Sequence, residues 1–261
     1  MSVSYLPFAF PNIPHVRCAF QIRTNGATNA GYAGGNISYN VGDAPDTVMA
    51  NRTSLLEALQ PHGLVAWAEL LQVHGDTLVF EPCAISPNDN VTIQGDGMAT
   101  IQPGLGLLIK TADCQPLLLA HKAGGHIAAI HVGWRGNRCH FPQTAVERFC
   151  KQYALEPRDL VAVRGPSLGP GHAEFVNFER EWGAAWQPWF DADSRTMDLW
   201  ALTRAQLQEA GLLQRNIYGL DWCTAENNDL FFSYRRHKSS GRQASLIWIA
   251  ISAMDGSNQT I

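Results

Sequence analysis

Strands and helices alternate along this chain of 261 residues, and the sequence predicts one compact domain in which both pack around a large core. Three observations carry that expectation. Wholly apolar runs such as Ile127-Ala128-Ala129-Ile130 read as strands buried on both faces. Between such runs lie segments whose apolar residues recur near helical spacing. The chain is 46% hydrophobic and has no Ser/Gly/Pro linker, charge block or internal repeat, which favours one unit over two.

In chain order, residues 16–22 predict a strand, and the Gly- and Asn-rich residues 24–42 an ordered loop. Asp46 is placed to cap a helix running through Leu59, with Val48, Leu55, Leu56 and Leu59 near helical spacing. Leu71 and Val73 open a strand that carries His74. Residues 106–109 form a strand leading to Cys114, residues 116–120 continue extended, and residues 127–130 form a short strand ending at His131. Residues 143–153 and 202–210 have the pattern of amphipathic helices, and residues 246–251 that of a closing core strand.

Composition narrows the class of function. A net charge of −4 with no basic stripe argues against non-specific nucleic-acid binding. The start, Met1-Ser2-Val3-Ser4-Tyr5-Leu6-Pro7, lacks the basic and apolar regions of a signal peptide. No apolar run approaches the roughly 20 residues that span a bilayer. The six cysteines are scattered without paired spacing, which fits reduced thiols better than a disulfide framework. The expectation is a soluble cytoplasmic protein with no membrane or nucleic-acid partner and an open oligomeric state.

Three short segments concentrate the chemistry. Gln72-Val73-His74-Gly75, Thr111-Ala112-Asp113-Cys114 and His131-Val132-Gly133-Trp134-Arg135-Gly136 each offer one soft donor from a turn. Two imidazoles and a thiolate suffice for a tetrahedral zinc with its fourth position open, as catalytic zinc requires. Their wide separation in sequence means that only the fold can bring them together. Two ordinary histidines and a buried cysteine remain the other reading.

With further motifs added, the sequence resembles the YfiH family, also called the laccase-domain or multicopper polyphenol oxidase-like family. The resemblance runs almost end to end. It rests on Gly42-Asp43-Ala44-Pro45, Asn51-Arg52, the segments around His74, Cys114 and His131, and Gly95-Asp96-Gly97. Later in the chain it rests on Gly165-Pro166-Ser167, Asp198-Leu199, Cys223-Thr224, Phe232-Ser233-Tyr234-Arg235-Arg236 and Gly241-Arg242. It implies an α+β fold of duplicated sheet-and-helix units, with mixed sheets covered by helices. It also implies zinc on His74, Cys114 and His131, the three catalytic positions. The implied activity is phosphorolysis of purine nucleosides (adenosine, inosine, guanosine, methylthioadenosine), accompanied in some members by adenosine deamination. The implied partners are therefore a purine nucleoside and phosphate. Laccase chemistry is not expected: blue-copper oxidases need clustered His-x-His pairs, and none of the nine histidines forms one. The Cys/His donor set can nonetheless take copper as well as zinc.

Phosphorolysis needs phosphate held at C1′ of the ribose, and guanidinium forks suit that task. Arg52 is the preferred candidate, followed by Arg235, Arg236 and Arg242. Asn36 can bind a hydroxyl or phosphate, or hold a turn. Gln72 shares a face with His74 and can meet substrate. Asp113 can orient a metal-bound histidine or serve its own turn. Trp134 can stack on a purine or join the core. Cys139-His140 reads as incidental. The loop departs from the family pattern at Ser38, where a glycine is common, and at Asn40, where a histidine is common, so substrate identity is less certain than the metal. Two rivals stand beside this reading. One is a cysteine hydrolase or amidase, including peptidoglycan-precursor editing, with Cys114 as nucleophile and His131 as base. The other is a non-catalytic protein that zinc stabilises.

Overall fold

A computed structural model describes residues 3–27, 32–89 and 91–251. Residues 28–31 of the expected glycine-rich loop and the seven-residue start's Met1 and Ser2 lie outside them. The strands are β1 (Ser4–Ala9), β2 (Val16–Ile22), β3 (Ala66–Glu69), β4 (Leu78–Phe80), β5 (Gly97–Thr100), β6 (Leu105–Thr111) and β7 (Gln115–His121). They continue with β8 (Ile127–Val132), β9 (Leu160–Arg164), β10 (Phe190–Asp191), β11 (Thr196–Met197), β12 (Ile217–Gly219) and β13 (Gln243–Ile249). The helices are α1 (Pro45–Leu59), α2 (Trp134–Arg138), α3 (Phe141–Tyr153), α4 (Phe178–Glu181) and α5 (Leu199–Glu209).

Two mixed sheets result. The first runs β1-β2-β13-β6-β3, antiparallel except for the parallel β3–β6 edge. The second runs β12-β9-β7-β8-β5-β4, antiparallel at its centre and parallel at both edges, β9–β12 and β4–β5. Side-chain alternation shows how they stack. On β13, Ile247 and Ile249 join Phe20 and Ile109 of the first sheet and Leu118, Ala129 and Val163 of the second in the core between the sheets. The alternate residues Leu246 and Trp248 turn outward, onto Leu55 and Leu59 of α1. The outer face of the second sheet, including Leu117 and Ile130, packs on Phe141, Val146 and Phe149 of α3 and Leu207 of α5. The order of layers is therefore helix, sheet, sheet, helix. Burial on both faces explains why these strands read as near-continuous apolar runs. The expected α+β arrangement of mixed sheets covered by helices is what the chain adopts.

Two local expectations need correction. Helix α1 starts at Pro45 with Ala44 as N-cap and no side-chain cap; Asp46 lies inside its first turn. Proline suits that first position because its missing N–H would be unpaired there anyway, and Asp46 still favours the positive end of the helix. Residues 71–74 do not form a strand: Leu71 makes only an isolated bridge to Gln94, and His74 has the left-handed φ of 62°. No helix among the described residues is long and apolar enough to cross a membrane.

One connection matters most for the site. β6 belongs to the first sheet and β7 to the second, so Ala112-Asp113-Cys114 carries the chain across the rim of the sandwich. Asp113 makes that corner with φ of 96°.

Candidate metal centre

Cys114 sits at this crossing, His131 near the end of the neighbouring β8, and His74 in the loop between β3 and β4. Their donor atoms all lie within 4.8 Å of one another. Cys114 Sγ is 3.8 Å from His74 Nε2. Tetrahedral zinc with ordinary Zn–S and Zn–N lengths would set such a pair about 3.6 Å apart. The His74 and His131 rings meet edge to face, with centroids 4.8 Å apart. The donor set fits a borderline-soft metal ion.

Asp96 organises the cluster. It lies in the segment entering β5 and is fully buried. Its carboxylate accepts the backbone N–H groups of Val73 (3.2 Å), His74 (2.9 Å) and Gly75 (2.7 Å), which holds the His74 loop in its left-handed turn. The same carboxylate lies 2.8 Å from His131 Nδ1 and leaves Nε2 for the cluster. Burial works against its charge, but His131 and the amides of Gly75 and His74 outweigh it and hold the carboxyl below its ordinary value. Gly95 and Gly97 flank it because a Cβ at either would come within 2.9 Å of a leucine methyl group, on Leu70 and Leu78. The sequence offered Gly95-Asp96-Gly97 as a motif, but the role of Asp96 was missed because its partners lie on other segments.

Charge is concentrated here. Burial opposes a thiolate at Cys114, but His131 and His74 pull the thiol down to about 6. Burial likewise opposes an imidazolium at His131, but Cys114 and Asp96 push it up to about 9. Each group thus favours the charged form of the other.

The donors open into a cavity of about 740 Å³, within the range of small-molecule sites. Arg135, Arg235, Lys238, Arg242 and Lys110, which pairs with Glu69, contribute to its wall, and among the described residues Asp113 is the only carboxylate that does. Asp113 is itself committed: it accepts the Thr224 hydroxyl at 2.7 Å and the Arg235 N–H at 2.6 Å. It thus ties two late loops to the cysteine turn and touches neither histidine. Trp134 begins α2 and joins Phe175 (centroids 5.7 Å apart) in an aromatic wall. Thr111 Oγ1 and Gln115 Oε1 are shielded from solvent and have no hydrogen-bond partner among the described residues.

The other expected ligands divide. Arg235 and Arg242 reach the cavity. Burial draws Arg242 below its ordinary value, against the charges of Cys114 and Asp113. Gln72 lines the cavity, but its amide is paired at both ends with the Lys110 backbone, at 2.8 Å each way. Asn36 is fully buried and braces Ser38, Asp43 and the Arg242 N–H, so it serves the turn. Arg236 faces away from the cavity and donates to the Ala225 carbonyl. Arg52 is also absent from the cavity wall. Its buried guanidinium pairs with Glu69 at 2.7 Å and donates to the Ile37 carbonyl at 2.9 Å. Those partners occupy the fork expected to hold phosphate.

Comparison with known proteins places the chain in a family. Residues 17–250 match the family described as multi-copper polyphenol oxidoreductase laccase. A Xylella fastidiosa protein named purine nucleoside phosphorylase is 37% identical over 231 residues, covering 82% of this chain and 84% of its own. The purine nucleoside phosphorylase YfiH of Escherichia coli is 33% identical over 249 residues, covering 92% and 96%. In structure, YlmD from Geobacillus stearothermophilus superposes with a TM-score of 0.82 over 95% of this chain and 96% of its own, at 24% identity. With its three donors gathered at the sheet crossing and the match spanning nearly its whole length, the chain belongs to the multi-copper polyphenol oxidoreductase laccase family.

Proposed function

We propose that this protein is a purine nucleoside phosphorylase whose metal is zinc, held by His74, Cys114 and His131. The observation that carries the reading is one cavity that joins those donors to a cationic wall and an aromatic one. The names of the relatives point the same way. A zinc bound there would supply Lewis-acid polarisation of an oxygen.

The chain's own residues account for the rest. Arg242, Lys238 and Arg235 hold phosphate, taking the part that Arg52 cannot play from within its ion pair. Tyr234 and Trp134 offer faces for the purine. Phosphate oxygen then bonds to C1′ as the C1′–N9 bond breaks, and the purine leaves with that electron pair. Deamination ranks lower. It needs a nearby carboxylate to shuttle protons, and Asp96 and Asp113 are both engaged in structural hydrogen bonds. The 3.8 Å approach of Cys114 Sγ to His74 Nε2 keeps a thiol hydrolase as the second reading.

The deciding experiment is adenosine turnover with and without phosphate, in wild type and Arg242→Ala. Adenine release that requires phosphate, with KM for phosphate raised at least about tenfold in the variant, is the expected result; one lost charge-assisted contact is worth roughly 1.5–3 kcal/mol. Turnover indifferent to phosphate would overturn the reading.

A further inference from the structure

A second group of soft and hard donors lies outside this cavity. Among the described residues two three-donor groups have ligand atoms within 4.8 Å of one another, and the other consists of His172, Cys223 and Glu226. We infer that these three form a second metal site, for a borderline-soft divalent cation such as zinc.

The backbone builds this cluster from two segments that are locked together. Ser167 and Cys223 form a parallel bridge, with Ser167 N–H donating to the Trp222 carbonyl at 3.2 Å and Thr224 N–H to the Ser167 carbonyl at 3.0 Å. Two residues on, Gly169 N–H donates to the Cys223 sulfur at 3.2 Å. Glycine suits that approach, since a Cβ at 169 would lie 3.0 Å from Cys223 Cβ and 3.2 Å from its sulfur. The turn after Cys223 closes as Asn227 N–H and its side-chain amide both donate to the Cys223 carbonyl, which brings Glu226 to the same side as the sulfur. His172 ends the short turn at residues 170–172, with Nε2 3.1 Å from Glu226 Oε1.

Burial runs outward through the three donors. Cys223 is 4% exposed, while the His172 and Glu226 side chains are 29% and 60% exposed. The soft donor thus lies inside and the carboxylate at the mouth, which leaves a route for an ion and a fourth position for water. Thiolate, imidazole and carboxylate are the donors zinc takes. Thr224, next to Cys223, grips Asp113, next to Cys114. Ligation would therefore stiffen the wall of the first cavity without entering it.

The test is metal stoichiometry in a background where the first cluster has lost its thiolate. Cys114→Ser, dialysed against zinc and then against buffer, retains about one zinc per chain, and Cys114→Ser/Cys223→Ser retains none. Cobalt loaded into Cys114→Ser shows a thiolate-to-metal charge-transfer band that disappears with Cys223→Ser. Glu226→Gln, at an exposed position, keeps the fold and weakens cobalt affinity in that background by about tenfold or more. A Cys114→Ser protein that holds no zinc, or a cobalt–thiolate band that survives Cys223→Ser, would overturn the second site. Neither outcome bears on nucleoside phosphorolysis, which the phosphate-dependence assay addresses separately.

Discussion

Asp96 shows how much one side chain can organise. Four hydrogen bonds from two segments end on its carboxylate, and each metal-facing histidine depends on at least one of them. Asp96→Asn keeps the size but exchanges an acceptor for a donor, so it cannot satisfy all four. Zinc affinity, measured by competition with a chromophoric chelator, should fall about 10- to 100-fold, as it does when the support of a ligating histidine is removed. An unchanged affinity would show that the histidines hold their places without it. The same residue marks a limit of reading from sequence. His74, Cys114 and His131 are legible as donors by residue type alone. Asp96, which orients the two histidines, and Glu69, which occupies Arg52, act through contacts between distant segments. Arg52 looked free for phosphate because nothing local reveals its partner on β3.

Among the elements, the join between the sheets is closely packed. Gly165 follows β9, and a Cβ there would stand 2.3 Å from Phe20 Cε1 of the first sheet and 2.8 Å from Pro116 Cγ of the second. Gly165→Ala should therefore lower unfolding stability by about 1–3 kcal/mol, the cost of overpacking a filled core. Gly125, where a Cβ meets nothing within 4 Å, provides the control. Urea midpoints separate the two, and a Gly165→Ala midpoint as high as that of Gly125→Ala would refute the packing argument. The strands themselves were legible. Residues 16–22, 106–109, 116–120 and 127–130 all fall within observed strands, because burial on both faces leaves a run of apolar side chains. Residues 71–74 misled for the same reason: Leu71 is apolar and Val73 β-branched, yet their backbone is claimed by Asp96 and Gln94 rather than by a strand. Helix α5 begins at Leu199, before the expected 202, because Asp198 caps it by accepting the Ala201 N–H at 2.9 Å.

At the scale of the whole molecule, charge is distributed against the average. The chain carries −4 overall, yet among the described residues its cavity is lined by Arg135, Arg235, Lys238 and Arg242, by Lys110 in an ion pair with Glu69, and by the committed carboxylate of Asp113. An inward field of that sign attracts an anion toward the cavity from a surface that would otherwise repel it. Three of these cations lie over aromatic rings: Arg135 at 4.4 Å from Trp134, and Lys238 and Arg242 at 4.4 and 5.9 Å from Tyr234. Raising sodium chloride from about 0.05 to about 0.5 M shortens the screening length several-fold. KM for phosphate should rise several-fold over that range while kcat changes little. A KM insensitive to salt would mean that these cations do not face the anion.

The crossing at Ala112-Asp113-Cys114 has a mechanical consequence. Cys114 hangs from the connection between the two sheets, His131 from the second sheet alone, and His74 from a loop leaving the first. An ion gripped by all three acts as a rivet through the sandwich, placed where the layers would otherwise slide past each other. Shear between the layers would then open or close the cavity at its floor, so the grip that prepares the chemistry would also set how far the two halves can breathe.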